Sequence, residues 1–231
     1  MTGAPAPCAL RPATCDLRPA TCAMRPVTII LIRHGQTAWN EGSERIRGQS
    51  DIPLDETGQW QAQVTARYIA ARWPLTAVYA SPLSRTMETA RAIAAAQGLQ
   101  ARPLDGLIDL CFGEWEGLPI AEVQARYPDL WRAWMEAPHT VRFPGGESLD
   151  VVRERSMAAL EETVRRHPGE TVALVGHRVV NQVLLCAVLG LGNDHFWHIA
   201  QDTCAVNRIE WNGKFYRLAL MNDTSHLWRP T

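Results

Sequence analysis

Residues Thr28 to Asn40 read TIILIRHGQTAWN. Five apolar or β-branched residues run without polar alternation into an arginine, a histidine and a glycine. Such a run is the pattern of a short strand buried on both faces, which is the usual condition of a parallel strand. The stretch from Thr171 to His177, TVALVGH, has the same grammar. A buried strand ends, one residue follows, and then a histidine. TAVYA, Thr76 to Ala80, is a further short strand.

Between these strands the spacing predicts helices. In DETGQWQAQVTARYIAAR the residues Trp60, Val64 and Tyr68 recur every four positions, which predicts an amphipathic helix. SPLSRTMETARAIAAAQG is read with Ser81 as N-cap, Pro82 at the first helical position and Gly98 just past the end. GESLDVVRERSMAALEETVRRHPG carries Leu149, Val152, Ser156, Leu160 and Val164 along one stripe, and VVNQVLLCAVLG follows the TVALVG strand as another helix. CAVNRIEWNGKFYRLALM reads as a hairpin turning at Asn212-Gly213. Strands alternating with helices predict an α/β fold, a three-layer α/β/α sandwich with a mostly parallel central sheet. The hairpin would supply an antiparallel edge.

In such sheets ligands lie beyond the carboxyl ends of the strands. His34 and His177 both occupy such ends. If their strands are neighbours, both imidazoles enter one crevice, with Gly35 letting the backbone turn and Gly176 leaving room. One histidine near a strand is more often structural. Two at equivalent ends, with Arg33 beside one and Arg85 after the TAVYA strand, point to a site for a phosphate dianion, because guanidinium forks bind phosphate oxygens bidentately. A metal centre fits poorly. The arginines would repel a cation, and no HxH, HExxH or carboxylate cluster accompanies the histidines.

The bulk composition limits the alternatives. A net charge of −1 over 231 residues offers no general basic surface for nucleic acid. No apolar run has the length of a membrane span. Six cysteines form no CxxC pair, which argues against structural zinc and for a reducing cytoplasm, with Cys111 and Cys186 as small core residues. The nine tryptophans are expected in the core or a pocket wall. Residues 8–28 hold a degenerate seven-residue repeat with a proline in each copy, which forbids a coiled coil. Residues 1–23 are therefore expected to be a disordered tail before a domain spanning 24–231, with Met24 as a candidate translation start.

LIRHGQTAWN, RGQSDIPLDETGQWQA, VYASPLSRTMETA, LIDLCFGEWEGL, PGGESL and ALVGH together resemble the successive blocks of the histidine phosphatase superfamily, also called phosphoglycerate mutase-like. The resemblance runs from about Val27 to the hairpin. It implies a phosphoglycerate mutase-like fold, with His34 as the nucleophile that becomes a phosphohistidine. Arg33, Arg85 and His177 would hold the phosphoryl oxygens, with Asn40 and Arg47 completing the pocket. Asp109 falls where the family places its proton donor, commonly a glutamate. Glu114 and Glu116 are its rivals, and Glu116 is also readable as a backbone hydrogen-bond acceptor. Arg178 is readable as a substrate contact or, preferably, as a solvated helix start.

The resemblance implies no cofactor and no metal, a small-molecule phosphomonoester as partner, and a homodimer as one assembly. Residues 118–146 are expected to form a helical flap with an aromatic inner face. That short flap favours a metal-independent phosphomonoesterase, as in α-ribazole phosphatases and small-molecule phosphatases. The alternative is a cofactor-dependent phosphoglycerate mutase. A binding module without catalysis is a third reading, opposed by the intact His34, Arg33, Arg85 and His177.

Overall fold

The computed structural model describes residues 26–40 and 45–228. The repeat segment and Met24 lie outside the described residues. Among the described residues six strands form one sheet in the order β3-β2-β4-β1-β5-β6. Their ranges are β1 Val27–Arg33, β2 Ala77–Ala80, β3 Ala101–Pro103, β4 Thr171–Gly176, β5 Val206–Trp211 and β6 Tyr216–Asp223. β1 to β4 are mutually parallel where they pair, and β5 and β6 add the antiparallel edge. This is the α/β fold the sequence predicted. β3 had no signal of its own, being three residues long and ending in a proline.

The strands bury both faces. Ile29 and Leu31 of β1 join Val172 and Leu174 of β4 in one apolar cluster. Ile30 and Ile32 join Ala173 and Val175 in the other. Helices α5 (Leu149–Arg166) and α6 (Arg178–Val188) cover the first face. Helices α1 (Glu56–Ala70) and α2 (Ser84–Ala95) cover the second. Ile29 to Ile32 are fully buried, each stabilising the fold by about 1.5–3 kcal/mol relative to exposure. Two short helices, α3 (Ile120–Arg126) and α4 (Pro128–Glu136), lie in the 118–146 segment.

Several local expectations are corrected. Ser81 does not cap α2 and Pro82 is not its first residue: the N-cap position is Leu83, with extended dihedrals, and the helix starts at Ser84. Gly98, at φ +68°, does follow the helix end. The buried face of α1 is Gln61, Ala62, Thr65, Ala66 and Ile69, while Trp60, Val64 and Tyr68 flank it half-buried. Polar residues occupy that face because they have partners there: Gln61 Oε1 accepts from Gln36 N (2.8 Å), and Thr65 Oγ1 donates to Gln61 O (2.8 Å). The hairpin loop spans four residues, 212–215, with Asn212 Oδ1 accepting from Lys214 N and Phe215 N. Cys186 is buried as expected, but Cys111 is only half-buried.

Gly35 is needed for space and not for a left-handed turn. A Cβ there would lie 2.6 Å from Gly58 O, so the start of α1 packs directly on the strand-end loop. Gly176 likewise leaves room for Asn181 Oδ1, which a Cβ would meet at 2.6 Å.

Candidate active site

β1 and β4 are neighbours in register, with Arg33 opposite Gly176. The residues that follow, His34 and His177, therefore emerge side by side, their ring centroids 5.3 Å apart and roughly edge-on. The backbone is tied there by His34 N donating to Gly176 O (3.1 Å). Both histidines are almost wholly buried, at 2% and 0% exposure.

His34 Nδ1 lies 2.6 Å from Gly35 O. A carbonyl can only accept, so Nδ1 carries the proton and Nε2 keeps its lone pair. Burial first, then the Arg85 and Arg33 charges, push the His34 pKa well below its ordinary value. The imidazole is therefore neutral at physiological pH, the form a nucleophile requires. His177 is depressed in the same way, by burial and then by Arg85. Its Nε2 is hydrogen-bonded to Ser81 Oγ at 2.8 Å.

Arg85, on the first turn of α2, is fully buried. It donates to Ser50 O and Gly48 O, both at 2.8 Å, and to Asp109 Oδ2 at 3.3 Å. Arg33 donates to Gln201 O at 2.7 Å. Burial and the neighbouring Arg47 and Arg178 charges lower its pKa to about 9, which leaves it protonated at neutral pH. Asp109 Oδ2 also lies 3.5 Å from His177 Nδ1. Burial raises the Asp109 pKa and outweighs the opposing pull of Arg85. The Arg85–Asp109 pair is thus desolvated without full compensation, and an arriving dianion would raise Asp109 further.

Asn40 and Arg47 meet at Thr37: Asn40 Oδ1 accepts from Thr37 N (2.8 Å), and Arg47 Nη1 donates to Thr37 Oγ1 (3.2 Å). Arg33, Asn40, Arg47 and Asp109 line a cavity of about 540 Å³. His34, Arg85 and His177 do not line it and form the layer beneath, in contact with Asp109 through Arg85 and His177. The seven residues singled out in the sequence therefore gather at one place.

The rivals of Asp109 have other partners. Glu116 Oε1 accepts from Gln49 N (3.0 Å) and Phe112 N (3.1 Å), and Glu114 Oε2 accepts from Tyr127 OH (2.8 Å). Neither lines the cavity. Arg178 opens α6 and is exposed, as a solvated helix start would be, yet it lines the cavity with its guanidinium 5.4 Å from the Trp197 ring centroid.

Three contributors were not read from the sequence. Ser81 reads as a helix cap from its Ser-Pro context, although its place just after β2 is itself a strand-end signal. Arg155 braces the Asp109 loop by donating to Gly106 O, Ile108 O and Asp109 O, and it pairs with Glu147 at 2.9 Å. Gln182, inside the apolar VVNQVLLC run, also reaches the cavity wall.

The sequence profile described as histidine phosphatase superfamily, branch 1, matches residues 29–224. The chain belongs to that family. Phosphoserine phosphatase 1 of Hydrogenobacter thermophilus is 37% identical over 199 residues, which span 86% of this chain and 93% of that protein. The Bacillus stearothermophilus YhfR structure superimposes with a TM-score of 0.83 at 32% identity, covering 87% of this chain and all of that one. A mycobacterial glucosyl-3-phosphoglycerate phosphatase gives 0.78 at 29% identity, again over 87% of this chain and all of the other. The fold is phosphoglycerate mutase-like, and membership with these relatives makes this histidine phosphatase superfamily chain a small-molecule phosphatase. Among the described residues no helix is long and apolar enough to cross a membrane.

Proposed function

We propose that the protein hydrolyses small phosphomonoesters without a metal ion, carrying the phosphoryl group transiently on Nε2 of His34. The observation that carries this reading is the state of His34: buried, neutral, with its Nδ1 proton held by Gly35 O and with Arg33 and Arg85 acting on the ring. In the first step a bond forms from Nε2 to phosphorus while the bond to the ester oxygen breaks. Asp109, protonated in the field of the bound dianion, gives its proton to the leaving oxygen. Arg33, Arg85 and His177 complement the charge spread over the equatorial oxygens, which fixed donors do without reorganisation. In the second step water attacks the phosphohistidine, Asp109 takes a proton back, and phosphate leaves with His34 restored. Asn40 and Arg47 orient the phosphate from the cavity side.

The test is trapping. Protein quenched during turnover in excess EDTA should carry an acid-labile, base-stable phosphoryl group on the peptide containing His34, with phosphate release undiminished by the chelator. Turnover that continues with no label there, or that stops in EDTA and returns with a divalent metal, overturns the reading.

A further inference from the structure

Above the phosphate end, the cavity wall is aromatic and built to stay in place. Trp134 O accepts from Trp197 Nε1 at 2.8 Å, and the two rings sit edge-on at 5.2 Å. Phe112 and Phe196 pack on Trp134 at 6.0 and 5.2 Å. Arg178 extends the wall by lying over Trp197. A rigid wall of this kind loses little entropy on binding and matches a flat partner. The cavity, at about 540 Å³, falls within the roughly 300–1,000 Å³ of sites for drug-sized ligands, far beyond what a phosphoryl group needs.

Gln182 adds a polar requirement. It lines the same cavity and is 1% exposed. Its Nε2 donates to Ile199 O (2.5 Å) and Phe196 O (3.5 Å), and because carbonyls only accept, the amide orientation is fixed. Among the described residues its Oε1 is then a buried acceptor with no partner. A buried acceptor left unpaired is costly, so a ligand group that donates to it gains more than an exposed hydrogen bond would give.

We propose that this cavity selects phosphomonoesters whose leaving group is a large flat ring system carrying an N–H or O–H donor for Gln182. The inference rests on the phosphatase reading above and names the substrate class of that site. Small aliphatic esters fill the phosphate end and leave the Trp134–Trp197 wall uncovered. Binding energy from the remote ring is available to the transition state and appears in kcat/KM.

The test uses esters of matched reactivity on the unmodified protein: ethyl phosphate, 2-(1-naphthyl)ethyl phosphate and 2-(indol-3-yl)ethyl phosphate. kcat/KM should rise by roughly tenfold or more from ethyl to naphthylethyl, and by a further several-fold for the indole with its N–H. Trp197→Ala should narrow the first ratio. Equal kcat/KM for ethyl and naphthylethyl phosphate overturns the proposal, and equal values for the two ring esters overturn the part given to Gln182. Both results leave the phosphatase reading standing. That reading fails separately, if no ester, p-nitrophenyl phosphate included, releases phosphate.

Discussion

Arg85, in the layer that underlies the cavity as its floor, and Trp134, in the cavity wall, are both buried, yet they are held by different forces. Arg85 is aimed by two main-chain carbonyls and one carboxylate. Trp134 is placed by the rings of Phe112, Phe143, Phe196 and Trp197. The floor is thus a set of directional, charge-assisted contacts in which one misplaced atom matters. The wall is a packed surface in which shape and area matter. Floor residues should control the chemical step, and wall residues should control which leaving group is held.

The sharpest break in that division is His34→Ala. Turnover should fall by at least about 10⁴-fold and phosphohistidine labelling should vanish with it. Surviving label would move the nucleophile. Arg85→Lys keeps the charge but loses the fork, so kcat should drop by about 10²–10³-fold. A loss below tenfold would mean that a positive charge at this place suffices and that the guanidinium fork is not required. Asp109→Asn should slow alkyl phosphates by roughly 10²-fold and p-nitrophenyl phosphate much less, because only the poor leaving group needs a proton. In the proposed mechanism Asp109 acts in its protonated form, so activity of the unaltered protein should decline as pH rises through its elevated pKa, and the asparagine variant should lack that limb. Equal slowing of both esters would make Asp109 a positioning residue.

At the wall, where Trp131 also lines the cavity, Trp131→Ala should raise KM for a ring-bearing ester by about tenfold, with a smaller change in kcat. A change confined to kcat would erase the distinction between wall and floor. The smallest effect is on stability. His34 and His177 are held below their ordinary pKa by burial and then by Arg85. The folded protein therefore binds fewer protons than the unfolded chain just below about pH 6.5. Their contribution is complete above that pH and is lost as pH falls, by up to about 1.4 kcal/mol per pH unit per imidazole. The melting temperature should decline on acidification below pH 6.5, and less steeply in His34→Asn. A flat curve would contradict the buried neutral state.

How much was legible follows from the range of each interaction. β1 and β4 could be read because burial on both faces forces a continuous apolar run. The stripe on α1 misled because its buried face is partly polar: Gln61 is held inside by Gln36 N and Thr203 Oγ1, and Thr65 Oγ1 meets His226 Nε2, partners far along the chain that spacing does not reveal. Ser81 misled for a related reason. Ser-Pro suits a helix start, but its hydroxyl is engaged by His177, 96 positions away. Asp109 stood out by family resemblance, whereas Arg155, which braces it, looked like any helix-surface arginine.

The alternation of buried strands and covering helices was written in the order of the residues, and with it the place of His34, His177 and Arg85 at or just beyond strand ends. Those are local consequences of apolar periodicity and chain direction. Only the folded chain decides that β1 and β4 are neighbours, that Asp109 lies beside Arg85, and that Trp134 of α4 and Trp197 after α6 meet in an aromatic wall beside Gln182. Those are contacts between residues far apart in the chain, and burial, charge pairing and pKa exist only once the contacts form.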